Sequence, residues 1–167
     1  LFTALEYQHQ ELEDPRIAIP LSSTPYQTSE GSIDRASITA NAVVGHGFGL
    51  SSTLVYSHSR DDDPASTTFD GPLPFIPRWG GQVAVTWVNE AHVKATLAAN
   101  YIGERVSEAG ATLDPYWTLD ANLTWEPLDK RLELELSAYN LLDEDIELDT
   151  GVPGWGRSFK GTLKVRF

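Results

Sequence analysis

The 167-residue sequence contains no cysteine and no methionine, and it has few cations for its number of acids. Each absence excludes something. Without cysteine there is no disulfide framework and no thiolate metal site. With 12 Lys and Arg against 24 Asp and Glu, the formal net charge is -12. Such a balance leaves no basic patch to displace the counterions of a nucleic acid, so no nucleic-acid partner is expected. No apolar run approaches the roughly 18–20 residues of a membrane helix. That excludes helical spans and leaves β-spans open, because a lipid-facing strand is apolar only at alternate positions. By length alone the chain suits a single domain with one ordinary core. The opening LFTALEYQHQ reads as mid-strand and carries none of the charged, apolar and small-residue segments of a signal peptide. An internal-to-C-terminal piece of a longer polypeptide is therefore expected.

What the sequence has in abundance is period 2; no stretch shows a helical period. Strands are predicted at about 1–10, 33–45, 49–59, 80–88, 92–105, 116–126, 131–143 and 157–167. In the sixth, Trp117, Leu119, Ala121, Leu123 and Trp125 share a face opposite Thr118, Asp120, Asn122, Thr124 and Glu126. The last sets Phe159, Gly161, Leu163, Val165 and Phe167 against Lys160, Thr162, Lys164 and Arg166. The connections alternate too. Short ones fall at 45–49, 89–91 and 127–130, rich in Gly, Pro, Asn and Asp, and long ones at 11–32, 60–79, 106–115 and 144–156. Tight turns therefore collect at one end of the sheet and long loops at the other, which is how a transmembrane β-barrel is built.

Strand length and aromatic placement agree with that reading. Most segments exceed the usual 5–6 residues of a soluble strand and match the roughly 9–11 needed to cross a bilayer at a tilt. Tyr7, Tyr56, Trp79, Trp87, Tyr101, Trp117, Trp125, Phe159 and Phe167 lie near strand ends, where interfacial girdles belong. The last strand then has its apolar side in lipid and its cations in a wet lumen. A one-residue slip would carry Lys160, Lys164 and Arg166 into lipid at about 2–4 kcal/mol for a cation near the midplane, so the register is firmly set.

Candidate chemistry is sparse. His9, His46, His58 and His92 never fall at a metal-ligand spacing. The acidic run Arg60–Pro64 suits a hard cation in principle but lacks the EF-hand pattern, and it reads as a solvated loop tip. Residues 45–49, Gly-His-Gly-Phe-Gly, join two strands and open no helix, so they form a turn rather than a phosphate cradle. Asp120, Glu133, Glu135 and Lys94 face the lumen by alternation. Paired carboxylates there would be needed for a hydrolase; ion pairing with Lys94, Lys160, Lys164 and Arg166 is the simpler expectation, and no catalytic, cofactor or metal residue is assigned. The long loops are acidic, from Glu11, Glu13, Asp14 and Glu30 to Glu144, Asp145, Glu147 and Asp149. An anionic ligand would have to be met by Arg16, Arg78, Arg105 or Arg157, and the acids could bridge to lipopolysaccharide through divalent cations.

The C-terminal AYNLLDEDI, an acidic loop and GRSFKGTLKVRF resemble the end of TonB-dependent outer-membrane receptors. In that family an Asn-Leu-Leu/Phe-Asp segment closes the penultimate strand and Gly-Arg-x-Phe opens the last. Here these are Asn140–Asp143 and Gly156–Phe159. GPLPFIPRW (71–79), NYIGERV (100–106) and LDPYWTLDANLTW (113–125) are similar to the family as well, while Trp155 and Gly156 look like an insertion. The resemblance implies an all-β, antiparallel transmembrane barrel of about 22 strands with a plugged lumen, residues 1–167 supplying the last eight. It implies a Gram-negative outer-membrane receptor, not an enzyme, importing a scarce nutrient such as a ferric siderophore, haem or cobalamin. It further implies energy from the TonB complex through an N-terminal part absent from this sequence, and a terminal aromatic, Phe167, read by the barrel-assembly machinery. The rival readings are a self-contained eight-stranded anchor or adhesin, an outer-membrane hydrolase, and last a soluble carbohydrate-binding sandwich.

Overall fold

The alternation of apolar and polar residues folds into one antiparallel meander. The computed structural model describes residues 1–13, 16–18, 26–28, 30–127 and 131–165. Eight strands form a single sheet: β1 (Phe2–Leu12), β2 (Gly31–Gly45), β3 (Phe48–Asp61), β4 (Trp79–Val88), β5 (Val93–Ile102), β6 (Tyr116–Trp125), β7 (Leu132–Tyr139) and β8 (Ser158–Val165). Their order in the sheet is their order in the chain, and among the described residues β1 and β8 are open edges. Short ladders inside the long loops pair Arg16–Ala18 with Tyr26–Thr28, Arg105–Val106 with Thr112–Leu113, and Glu147–Asp149 with Val152–Pro153. No helix among the described residues is long and apolar enough to cross a membrane.

Alternation gives the sheet two unlike faces. Leu5, Ile38 and Leu54 sit side by side on β1, β2 and β3. The same face continues through Val83, Val85, Leu97, Leu123, Leu136 and Leu163, all exposed. The opposite face is a run of hydroxyls, amides and a few charges. The expected core is absent from the sheet. Among the described residues buried apolar side chains are few: Ala84 lies within β4, and Ile33, Leu73 and Leu113 lie at or near the long-loop end, where loops fold onto the rim.

Four strands or predicted strands repeat one aromatic spacing: Phe48 and Tyr56, Trp79 and Trp87, Trp117 and Trp125, Phe159 and Phe167, each eight residues apart. Eight residues cover about 27 Å along a strand, or roughly 19–22 Å along the normal at a tilt of 35–45°, close to the ~25 Å apolar band of a membrane barrel. Tyr56 packs on Trp79 with ring centroids 4.8 Å apart, and Tyr101 on Trp117 at 4.6 Å. Level with Trp79 in the ladder is Gly103, two residues beyond Tyr101 (Gly80 pairs with Ile102), so the aromatic line steps down by one pair as it crosses to β5. Tilted strands require such drift.

Strand limits differ from expectation where the backbone turns. The strand predicted to run to 143 ends at Tyr139, because Asn140 takes φ 49° and Asp143 φ 55°. That predicted from 92 begins at Val93, with His92 still in the turn at φ 57°. Its assigned span stops at Ile102, although the Gly103 amide still donates to the Trp79 carbonyl and carries the pairing one residue further. The turn at 127–130 lies mostly outside the described residues, as do Arg166 and Phe167.

The β2–β3 connection is tighter than a five-residue loop. Gly45 pairs with Phe48, leaving His46 (φ 52°) and Gly47 (φ 81°) as a two-residue turn of the left-handed kind that matches strand twist. A Cβ at Gly47 would lie 1.9 Å from the Val88 carbonyl oxygen. Gly47→Ala is therefore expected to destabilise this hairpin by about 1–2 kcal/mol. The check is the fraction of heat-stable, compact barrel on a semi-native gel; an unchanged fraction would contradict the clash.

Candidate functional site

Two surfaces meet at the long-loop end, the polar inner wall and the loops that fold across its rim. The inner wall is a hydrogen-bonded rail. Thr39 and Thr53 share a bond of 3.2 Å, and Thr86 and Thr96 one of 3.1 Å. Gln82 donates to Asn100 at 2.6 Å, and Asn100 in turn donates to Thr118 (3.1 Å) and to Asp120 (2.9 Å). Asp120 also accepts the Asn140 amide at 2.9 Å. Asn122 donates to Glu135 at 3.1 Å and Ser137 at 3.0 Å.

The charged residues picked out from alternation do lie on this wall, but they are balanced differently. Of these charges, Glu133 pairs with Lys164 at 2.8 Å. Asp120 and Glu135 are held by amides instead. Nor does the fold bring Asp120 to Glu133. Trp125 pairs with Leu134, so Glu133 lies level with Glu126, six residues along from Asp120. That separation is roughly 20 Å at ~3.3 Å per residue, far beyond the ~5–9.5 Å of a glycosidase carboxylate pair.

The acidic run at 60–64 is not the solvated tip expected. Asp61 is completely buried. It accepts hydrogen bonds from the hydroxyls of Ser66 and Thr68, both at 2.5 Å, and from the Asp63 amide at 3.1 Å. Its own backbone bonds to Gly71 and Asp70 close the segment into a knot. Asp62 and Asp70 instead hold Arg60, at 3.0 and 2.8 Å. A signal was present in the sequence: an Asp followed by Ser and Thr at five and seven residues is a set of donors around an acceptor. Among the described residues no group of three or more His, Cys, Asp or Glu could hold a metal ion.

The arginines also differ from expectation. Arg105 is buried, its guanidinium donating to the Asp114 carbonyl at 3.2 Å and to the Glu147 carbonyl, and standing 5.1 Å over Tyr116. It thereby ties two long loops together, and a hollow of about 440 Å³ lies between them, lined by Tyr116, Asp114, Asp145 and Glu147. Arg157 pairs with Asp143 at 3.2 Å, Asn140 bonds to the Glu144 and Trp155 carbonyls, and Arg78 stands 5.8 Å over Tyr56. The side chain of Arg16 lies outside the described residues.

An antiparallel sheet with one polar face, aromatic rows and loops gathered at one end fits a wide membrane barrel. The model of the TonB-dependent receptor-like β-barrel matches residues 19–141, well over half of the chain. The chain belongs to this TonB-dependent receptor family. Solved barrels agree on the fold. The ferric-catecholate import receptor Fiu of E. coli K12 superposes with a TM-score of 0.68 at 19% identity, covering 99% of this chain and 25% of its own. The FrpB iron transporter of Neisseria meningitidis gives 0.70 at 15%, covering 99% and 28%. The copper transporter OprC gives 0.69 at 16%, covering 85% and 25%. The chain thus spans about a quarter of the length of these receptors. No curated protein matches it. TonB-dependent receptor barrels reside in the outer membrane, which makes the apolar face of this sheet its lipid face and the long loops its external end.

Proposed function

We propose that residues 1–167 are the last eight strands of the barrel of an outer-membrane TonB-dependent transporter that imports a scarce nutrient, with a metal chelate such as a ferric siderophore as the leading class and haem or cobalamin as alternatives. The observation that carries this is the open eight-stranded sheet with an amide- and hydroxyl-rich inner wall, in a chain that the family model matches over 19–141. Open edges at β1 and β8 require further strands, which a self-contained eight-stranded barrel would not need. The inner wall offers neutral hydrogen-bond partners rather than paired catalytic carboxylates, which favours transport over hydrolysis.

On this reading the four long loops line the external mouth. A plug and the segment that meets TonB belong to the rest of the polypeptide. Phe167 serves recognition by the barrel-assembly machinery, and the apolar face meets lipid and lipopolysaccharide. The test is to detect the polypeptide bearing this C-terminus in isolated outer membranes and to measure uptake of radiolabelled ferric chelates with and without its gene. A product several times heavier than 18.4 kDa, whose deletion removes an uptake that also requires TonB, is expected. A product near that mass, or uptake independent of TonB, would overturn the reading.

A further inference from the structure

A recess of about 460 Å³ opens at the external end of β3, bordered by His58, Arg60, Ile76, Arg78, Asp70 and Glu104. Its position on the barrel is set by the register. Tyr56 and Trp79 lie on the lipid face, and His58 and Arg60 follow Tyr56 on that face at alternate positions. Both are exposed while the intervening Ser57 and Ser59 are buried. At ~3.3 Å per residue they stand about 7 and 13 Å beyond the aromatic row along the strand, in the layer occupied by lipid headgroups. The border of the recess formed by His58 and Arg60 therefore lies on the lipid side, at the level of the headgroups.

Its charge is unusual for a chain of net charge -12. Arg60 is neutralised by Asp62 and Asp70. Arg105 borders the recess too, but its guanidinium is turned to the carbonyls of Asp114 and Glu147. Arg78 is different. It is exposed, rests on the Tyr56 ring, and makes no ion pair among the described residues. His58 stands nearby, across the ladder from Asp34, whose carboxylate is occupied by the Tyr7 hydroxyl at 2.6 Å and His9 at 2.8 Å. Glu104 is the remaining acid at the edge. An exposed arginine 5.8 Å from the centroid of a girdle ring, with no carboxylate partner among the described residues, can offer its guanidinium fork to a phosphate in a bidentate grip.

We infer that this recess binds a phosphate of an outer-leaflet glycolipid, with Arg78 as the principal contact and His58 beside it. The inference rests on the outer-membrane reading above. It assigns direct lipid recognition to a cation at the girdle, distinct from divalent bridging by the acidic loops.

The test uses the intact polypeptide purified in detergent, with native mass spectrometry reading its affinity for diphosphorylated lipid A, for the same lipid without phosphates, and for inorganic phosphate. Tighter binding of the phosphorylated lipid is expected. Arg78→Ala should weaken it about tenfold, as loss of a charge-assisted bidentate contact does. Arg78→Lys should recover part of that loss, and Arg157→Ala, which removes an arginine already paired with Asp143, should leave affinity unchanged. Equal affinity with and without phosphates, or an unaltered Arg78→Ala protein, overturns the inference. Displacement of the lipid by millimolar inorganic phosphate reassigns the recess to soluble anions and overturns it too. Outer-membrane fractionation and ferric-chelate uptake of Arg78→Ala cells separate the two readings. Normal assembly and uptake with weakened lipid binding support both. Absence of the wild-type protein from the outer membrane overturns both. Normal assembly with unchanged lipid binding overturns only this one.

Discussion

Leu97→Arg is expected to abolish accumulation of the barrel in the outer membrane, while Thr96→Lys, one residue away, is expected to be tolerated. Leu97 lies midway along β5 on the lipid face, exposed and flanked by Val85 and Ala121. A cation at that depth costs about 2–4 kcal/mol, because the hydrocarbon offers its charge neither water nor a partner. Thr96 points to the other face, where its hydroxyl meets that of Thr86 at 3.1 Å. Replacing it loses one hydrogen bond, about 1 kcal/mol, but the new ammonium enters a polar space that already holds Lys94 and Lys160. Quantifying outer-membrane protein and its unfolding by urea in lipid vesicles decides between the faces. If both variants assembled equally, the face assignment of the sheet would be wrong.

Asp61→Ala is expected to release the loop from 61 to 71 without unfolding the barrel. The carboxylate is the common acceptor for Ser66, Thr68 and the Asp63 amide. Removing it takes the shared acceptor from two hydroxyls and a backbone donor around a fully buried position, at a combined cost of about 3 kcal/mol. The amides of Asp63 and Gly71 should then exchange hydrogen on the order of a hundredfold faster, since about 1.4 kcal/mol is tenfold in an opening equilibrium. Proteolytic cutting should appear between Asp61 and Gly71. Asp61→Asn should fall between, because one oxygen still accepts. Unchanged exchange in Asp61→Ala would show that backbone bonds alone hold the segment. If the loop contributes to a ligand site at the mouth, uptake falls with it while the barrel stays assembled.

How far these outcomes could be foreseen differs between wall and mouth. Alternation such as Trp117, Leu119, Ala121, Leu123 and Trp125 against Thr118 to Glu126 told which side chains face lipid, because a strand's period is a local property of the backbone. The succession of tight turns and long loops told that neighbouring strands pair in chain order. The same reasoning placed Asp120, Glu133 and Glu135 on the inner wall. It gave the wrong partners for two of them, since amides on adjacent strands reach the carboxylates before any lysine does.

At the mouth, local pattern carries little. Arg105 is buried by bonding to Glu147, 42 residues away, and Arg78 rests on the Tyr56 ring of the adjoining strand. The acids of 60–64 look alike in sequence, yet one is buried and its neighbour pairs with an exposed arginine. The sequence by itself determined the strands, their two faces, their pairing order and the end of the sheet that bears the loops, because each follows from the period of side chains and the length of connections. The tertiary structure alone decided which loop charges are buried, which arginine ties loops together and which stands exposed beside an aromatic ring. Those outcomes depend on segments distant in the chain competing for the same donors and acceptors, and no local period records that competition.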